Sequence, residues 1–147
     1  MLRLYEERRE AKLRDARDWF AANYHVKTVE EGMRLGPPGS KENTYVRMVI
    51  GYWGMVASIL NRGLIDEELF FENGGEMWGV FEQLKPSLEE WRKMFSSPNM
   101  FSNLEQASKR YEDWREKTNP GSNATIRKFM EQMAETARAA KAKAAGN

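Results

Sequence analysis

The 147-residue sequence contains no cysteine, and this absence excludes several classes of protein at once. Without thiols there is no disulfide framework, no thiolate metal site and no cysteine nucleophile. Disulfides belong to oxidising compartments, so their absence agrees with a reducing one. We therefore expect a cytoplasmic protein that folds without covalent cross-links.

The sequence also lacks the segments that mark secretion or a membrane span. Its first residues, MLRLYEERREAK, contain no uncharged stretch of the kind that a signal peptide requires. The segment Met48–Leu60 carries no charge, but its 13 residues are too few, because a helix that crosses a bilayer needs about 20. We expect no membrane span in this chain, although association close to a membrane stays open.

Neither sign of charge is in excess over the whole chain. There are 23 Lys and Arg residues against 22 Asp and Glu residues, a net charge of +1. Nucleic-acid binders present a basic surface, and Lys141 and Lys143 near the C-terminus are too sparse, with no aromatic residue between them for stacking. We therefore expect no nucleic-acid partner.

Motifs of known catalytic or cofactor chemistry are absent as well. There is no G-x-S-x-G elbow, and Gly36–Ser40 carries two prolines and no lysine, so it is no phosphate loop. His25 is the only histidine, too few for a His-based metal site, and we expect it to complement the end of a helix. The sequence predicts no catalytic, cofactor-binding or metal-ligating residue.

What the sequence does have is a central apolar segment, residues 44–61, TYVRMVIGYWGMVASILN. A helix that is apolar on almost every side is normally covered by other helices. Gly51, Gly54 and Ser58 recur at helical spacing, and a glycine inside a helix costs roughly 1 kcal/mol relative to alanine. We therefore predict that a second helix approaches this stripe closely.

The first residues predict one helix from Leu2 to Tyr24, because the segment has strong helix formers and no glycine or proline. Between Glu6 and Lys12 only Ala11 is apolar. The first three turns are therefore predicted to be solvated. They are either an ordinary charged surface, which we favour, or an extension that binds a partner.

Residues typical of helix starts and ends divide the rest of the chain. Thr28, Ser40, Asp66 and Ser87 precede apolar helical patterns and are predicted N-caps, the last with Glu90 at the capping-box position. Gly63 is predicted to end the central helix. No segment alternates like a strand. The fold expected is all-α, a single irregular bundle of about seven helical segments around residues 44–61.

We divide the chain into a helical core with a charged N-terminal extension, residues 1–118, a Pro/Gly linker, residues 119–123, and a C-terminal amphipathic helix of the same domain, residues 124–147. Ile126, Met130 and Met133 form the apolar stripe of that last helix. The break at Pro120 and Gly121 leaves two arrangements open. The helix packs on its own chain or on a neighbouring one.

An acidic cluster lies between Asp66 and Glu76. Residues 64–90 carry eight acids and one lysine, a net charge of −7, whereas residues 125–147 carry +3. The cluster suggests a divalent-cation site or a surface for a basic partner. Its sequence lacks the ligand spacing of a calcium loop, and acids at helix starts are stabilised by the helix dipole. We favour a solvated, helix-capping role.

Aromatic side chains are plentiful and offer one further reading. They would line a ligand cavity, although at helical spacing they more often form the core. The candidates are Tyr52, Trp53, Trp78, Phe81, Trp91, Tyr111 and Trp114.

Residues 52–75, YWGMVASILNRGLIDEELFFENGG, and the following run through Trp91 carry a recognisable pattern. It consists of the pair Tyr52-Trp53, the turn Gly63-Leu64-Ile65-Asp66 and the segment Glu68-Leu69-Phe70. The chain resembles a group of small bacterial helical domains of unknown function. That resemblance implies a bacterial origin and a helical fold, and members often carry a membrane segment ahead of the domain. It implies no catalytic residues.

These observations favour a non-enzymatic interaction or scaffold module. Its binding surfaces would come from the terminal helices, with a protein partner or a second copy of the chain. A small-molecule binder with an aromatic and methionine-lined cavity is the alternative, its ligand unknown. A metal-dependent enzyme that uses the acids of Asp66–Glu76 is the third reading.

Overall fold

The computed structural model describes residues 1–147, and its regular structure is helical throughout. The prediction of an all-α fold is confirmed. A 3₁₀ turn at Lys85–Ser87 and nine α-helices make up the chain. The α-helices are Leu2–Arg8 (α1), Ala11–Asn23 (α2), Val29–Leu35 (α3), Lys41–Asn61 (α4), Glu67–Phe71 (α5), Gly75–Leu84 (α6), Leu88–Met94 (α7), Ser102–Thr118 (α8) and Ser122–Ala145 (α9).

The helices outnumber the seven expected partly because the first predicted helix is broken. At Glu10 the backbone leaves the helical region, with φ −56° and ψ 134°, and the Glu10 carboxylate accepts a hydrogen bond from Leu13 N at 2.9 Å. The prediction of one helix from Leu2 to Tyr24 was wrong. Glutamate is not among the preferred N-cap residues, so a helix start at Glu10 is not apparent from the sequence.

Three of the predicted N-caps are confirmed. Thr28, Ser40 and Asp66 each accept a hydrogen bond from the backbone N–H three residues on, at 3.2, 3.1 and 2.8 Å. Each bond satisfies an N–H that has no partner within its own helix. Gly63 has φ +68° and its N–H bonds Leu60 O at 2.9 Å, so it ends α4 as expected.

Ser87 occupies the N-cap position of α7, as predicted, but its side chain does not cap the helix. Its hydroxyl donates to Leu84 O at 3.3 Å, because the 3₁₀ turn carries the chain from α6 into α7 without an extended residue. Glu90 accordingly makes no capping box. Its carboxylate accepts from Val29 N at 2.9 Å and so ties α7 to the start of α3.

The chain divides into two compact units, residues 1–111 and 112–147. In the first unit α4 packs chiefly along α2 and then against α6. The buried side chains of α4 are Val49, Ile50, Trp53, Val56, Ala57 and Leu60, and those of α2 are Leu13, Ala16 and Phe20. Helix α6 contributes Met77, Trp78, Val80, Phe81 and Leu84. Burial of these apolar side chains is the main stabilising contribution to the unit.

One side of α4 faces solvent, and there the prediction of a close helix crossing was wrong. Gly51 is exposed, and a Cβ built on Gly51 or Gly54 would meet no atom within 4 Å. Arg47 and Met55 lie along the same exposed side. The central helix is therefore covered on its bulky apolar side only, and its small residues lie on the side that no helix approaches.

Candidate functional site

A cleft, here the α1 cleft, opens between α1, α4 and the segment that joins α5 to α6. It has a volume of about 20 Å³, which is room for one water-sized group. Sites for drug-sized ligands have volumes of about 300–1,000 Å³. Its lining residues include Leu4, Tyr5, Arg8, Tyr52, Trp53 and Phe70.

Helix α1 covers this cleft, and none of its residues is buried. The Tyr52 hydroxyl donates to Leu4 O at 2.7 Å, and Arg17 Nη1 donates to Arg8 O at 3.2 Å. The helix thus lies over α4 with little apolar burial. Regions of low burial open at the lowest free-energy cost.

Two arginines share one carboxylate at the edge of the α1 cleft. Arg17 makes a bidentate pair with Glu76 through Nε and Nη2, and the hydrogen bond with Glu76 raises the pKa of Arg17. Arg8 Nη1 lies 3.7 Å from Glu76 Oε2, a looser contact. Glu76 carries one negative charge against these two guanidinium groups, and its closer, bidentate contact is with Arg17.

Trp53 brings a buried hydrogen-bond donor to the same place. The side chain is only 2% exposed, and its Nε1 has no hydrogen-bond partner. The Tyr52 ring lies edge-on to it, with centroids 4.9 Å apart. Burial raises the pKa of the Tyr52 hydroxyl, and the charges of Arg8 and Arg17 act in the opposite direction. A buried donor without a partner costs about 1–3 kcal/mol, so the Trp53 N–H favours any acceptor that reaches it.

The aromatic residues proposed as cavity lining have separate locations. Tyr52 and Trp53 line the α1 cleft, whereas Trp78, Phe81 and Tyr111 are buried in the core. Two others are half-buried, Trp91, whose ring stacks on that of Phe95 at 6.0 Å, and Trp114. Of the seven rings, only those of Tyr52 and Trp53 line the α1 cleft.

The acidic cluster is also dispersed. Asp66 caps α5, the Glu67 carboxylate lies 2.8 Å from Arg110 Nη2, and Glu76 pairs with Arg17. No three His, Asp or Glu side chains come together in an arrangement that could hold a metal ion. Asp66, Glu67 and Glu76 thus have separate structural partners in unit 1, whereas Glu68 and Glu72 are exposed.

His25 lies just beyond the end of α2. Its Nε2 is 3.1 Å from Ala22 O, a carbonyl of the last turn of that helix. Carbonyls of the last turn have no partner within the helix, so a histidine there serves the helix end, as the sequence predicted.

The second candidate surface is the apolar side of α9. This helix has 24 residues, and Asn123 is the only buried one. Phe129 is 61% exposed and Met133 52%, with Ile126 and Met130 half-buried beside them. These four side chains are the α9 stripe. They recur at spacings of three and four residues, which places them on one side of the helix.

The start of α9 is anchored to the last turns of α8. Asn123 is 5% exposed, its Oδ1 accepts from Arg115 Nε at 2.7 Å, and its Nδ2 donates to Glu112 O at 2.9 Å. Arg127 Nη2 lies 2.6 Å from the Glu112 carboxylate. Gly121, with φ +84°, makes the turn, and only glycine adopts that conformation readily. The corner orients α9 while leaving the α9 stripe accessible.

Of the α1 cleft, only the aromatic residues Tyr52 and Trp53 were recognised in the sequence as candidate cavity lining, and the contribution of α1 was not. Arg8 lies in the stretch assigned to a solvated surface, and its neighbours Arg17 and Glu76 are 59 positions apart. The local signal was the pair Leu4 and Tyr5 among the charges of the first turn. Two apolar residues at one place in a charged helix indicate a side that packs.

Comparison with known families gives one match. A family model described as Domain of unknown function (DUF4760) matches residues 1–114, which confirms the resemblance to a small domain of unknown function. The match covers the α1 cleft, whereas α9 lies outside it. No curated protein and no solved structure matches the chain. None of the helices has the length and apolar character needed to cross a membrane.

Proposed function

The chain belongs to the family described as Domain of unknown function (DUF4760), and from that premise we propose that it is a non-enzymatic helical interaction module. Its docking element is α9. The proposed partner is a second copy of the chain. The proposed setting is the bacterial cytoplasm, supported by the absence of cysteine.

The α9 stripe is the observation that carries this proposal. Exposed Phe129 and Met133 lie on one side of a helix whose length is 24 residues. Amphipathic helices dock by placing apolar anchors at this spacing into a groove on another protein. Phenylalanine and methionine are enriched at protein interfaces relative to the rest of the surface. The α9 stripe, held next to the ordered corner between α8 and α9, is thus suited to dock on another protein.

Charge supports the same proposal. The end of α9 carries Arg138, Lys141 and Lys143 without an intervening acid, whereas residues 64–90 have a net charge of −7. Glu68 and Glu72 of that region are exposed. Opposite surface charges on two molecules raise the rate at which they associate. A second copy offers such an acidic surface to α9.

The test is the absolute mass in solution over a wide range of protein concentration, measured by light scattering behind size exclusion. The wild-type chain is expected to rise from 17.1 kDa towards twice that mass. The double variant Phe129→Ser, Met133→Ser should stay at the monomer mass, because it removes both exposed anchors. Circular dichroism at equal concentration checks that α9 remains helical.

A matched control is available within the chain. Met94 and Phe95 are a second methionine and phenylalanine with similar exposure, 51% and 55%, and lie outside α9. The variant Met94→Ser, Phe95→Ser should associate like the wild type. A wild-type mass of 17.1 kDa at every concentration, or an equal loss of association in both double variants, would contradict docking through α9.

A further inference from the structure

The α1 cleft brings together an unused donor and an incompletely matched positive charge. Trp53 Nε1 is buried and makes no hydrogen bond. Leu4, Val56 and Phe70 on the lining are apolar, and the polar side chains of Tyr5, Tyr52 and Asn73, which also line the cleft, make no hydrogen bond with this N–H. The cleft therefore favours a ligand that brings its own acceptor, since a buried N–H without one is costly.

The charge at the cleft favours an anionic acceptor. Two guanidinium groups, Arg8 and Arg17, lie on the single carboxylate of Glu76, and Arg17 holds it in the bidentate pair. Glu7, the other carboxylate that acts on the neighbouring Tyr52 hydroxyl, is exposed. Solvent and salt screen an exposed charge more strongly than a partly buried one. Among the partly buried groups, the two guanidinium charges exceed the one carboxylate charge of Glu76.

The size of the cleft narrows the choice of anion. A volume of about 20 Å³ takes one atom of the size of a water oxygen. A carboxylate presents two acceptor oxygens on a small flat group, so one oxygen enters while the other stays at the rim beside a guanidinium. A carboxylate is smaller at the rim than a tetrahedral oxyanion, and a neutral amide lacks the charge.

We propose that the α1 cleft binds a carboxylate group, with the Trp53 indole N–H and the Arg8 guanidinium as its two donors. The carboxylate belongs to a small organic acid or to the C-terminus of a peptide. Because Arg8 is on α1 and Trp53 is on α4, the bound group links the two helices. Occupancy thus orders a helix that has no buried residue of its own.

The experiment follows the indole N–H signals of ¹⁵N-labelled full-length protein by NMR during titration at constant ionic strength. The chain has five tryptophans, and the signal missing in Trp53→Phe identifies Trp53. Sodium acetate and N-acetylglycine are the probes, for a free acid and for a peptide terminus, with N-acetylglycinamide as the uncharged counterpart. Acetate, N-acetylglycine or both should shift the Trp53 signal to saturation, and the amide should not.

Arg8→Gln tests the second donor, with Arg3→Gln as the matched control because Arg3 is an exposed arginine of the same helix. We expect Arg8→Gln to weaken the apparent affinity about tenfold or more, since a charge-assisted hydrogen bond is lost. Arg3→Gln should leave it unchanged. The indole chemical shifts of both variants without ligand show whether the cleft is intact.

Three outcomes would overturn the proposal. If the Trp53 indole signal shifts with neither acetate nor N-acetylglycine, the cleft binds no carboxylate. Exchange of the indole proton with water would then show that the cleft holds water. Saturation by chloride or by the amide as readily as by acetate excludes selection of a carboxylate. Equal affinity of wild type and Arg8→Gln for the carboxylate would mean that Arg8 is not a donor to the bound group. None of these results depends on α9, so they are separate from the test of the docking element.

Discussion

The two longest helices of this chain, α4 with 21 residues and α9 with 24, have opposite roles. Six side chains of α4 are buried, whereas Asn123 is the only buried residue of α9. Most helices in proteins are stabilised by the packing of one side. The comparison shows that one short chain contains a helix of that kind and a helix whose apolar stripe remains accessible.

The way each helix begins explains how both can be ordered. Ser40 caps α4 through Asn43 N, and burial of the helix then supplies most of its stability. Helix α9 relies on the corner around Asn123 and Gly121 and on its own composition, because its last residues are rich in alanine and lysine. Both residue types are strong helix formers. Burial in the core thus stabilises α4, whereas local helix propensity and the corner stabilise α9.

The largest expected effect is the loss of a core side chain from α4. Leu60 is 2% exposed, and truncation of a buried leucine to alanine costs about 2–5 kcal/mol. Leu60→Ala should lower the free energy of unfolding of residues 1–111 by this amount. Urea denaturation followed by tryptophan fluorescence measures this change. An effect below about 0.5 kcal/mol, the range of surface substitutions, would contradict the assignment of α4 to the core.

A smaller loss is expected at the corner of α9. Asn123→Ala removes the hydrogen bonds to Arg115 Nε and Glu112 O, and disruption of a buried polar contact costs about 1–3 kcal/mol. Hydrogen exchange in the first turns of α9 should accelerate, with little change in α4. Thr136→Ala on the exposed part of α9 is the control. Equal acceleration in both variants would mean that the corner does not anchor the helix.

The open side of α4 gives a stabilising prediction. A Cβ at Gly51 meets no neighbour within 4 Å, and alanine in place of a helix-interior glycine stabilises by about 0.5–1 kcal/mol. Gly51→Ala should raise the midpoint of urea unfolding. Gly74→Ala should lower it, because a Cβ there lies 2.6 Å from Phe70 Cε1. If Gly51→Ala is destabilising instead, another molecule or segment covers that side of α4.

The sequence predicted well what depends on near neighbours along the chain. Thr28, Ser40 and Asp66 each accept a hydrogen bond from the backbone three positions on. Such short-range patterns can be recognised in a sequence. The side of α4 that is buried was not predictable, because its apolar residues lie almost all round it and periodicity then gives no direction. Tyr52 and Trp53 were candidates for cavity lining, but their assembly with α1 was missed. It depends on Arg17 and Glu76, which are 59 positions apart, and on a helix break at an unusual cap.

The smallest expected effect on stability is also the one that separates the two helices most sharply. Met133→Ala removes a side chain that is 52% exposed, and surface substitutions usually change stability by no more than about 0.5 kcal/mol. Urea unfolding should therefore hardly change, while self-association measured by light scattering should weaken, since truncation of an interface anchor costs more than about 1 kcal/mol of binding. If Met133→Ala instead destabilised the chain as much as Leu60→Ala, the α9 stripe would belong to the core. The contrast between a packed helix and an accessible one would then fail, and with it the reason to regard α9 as a docking element.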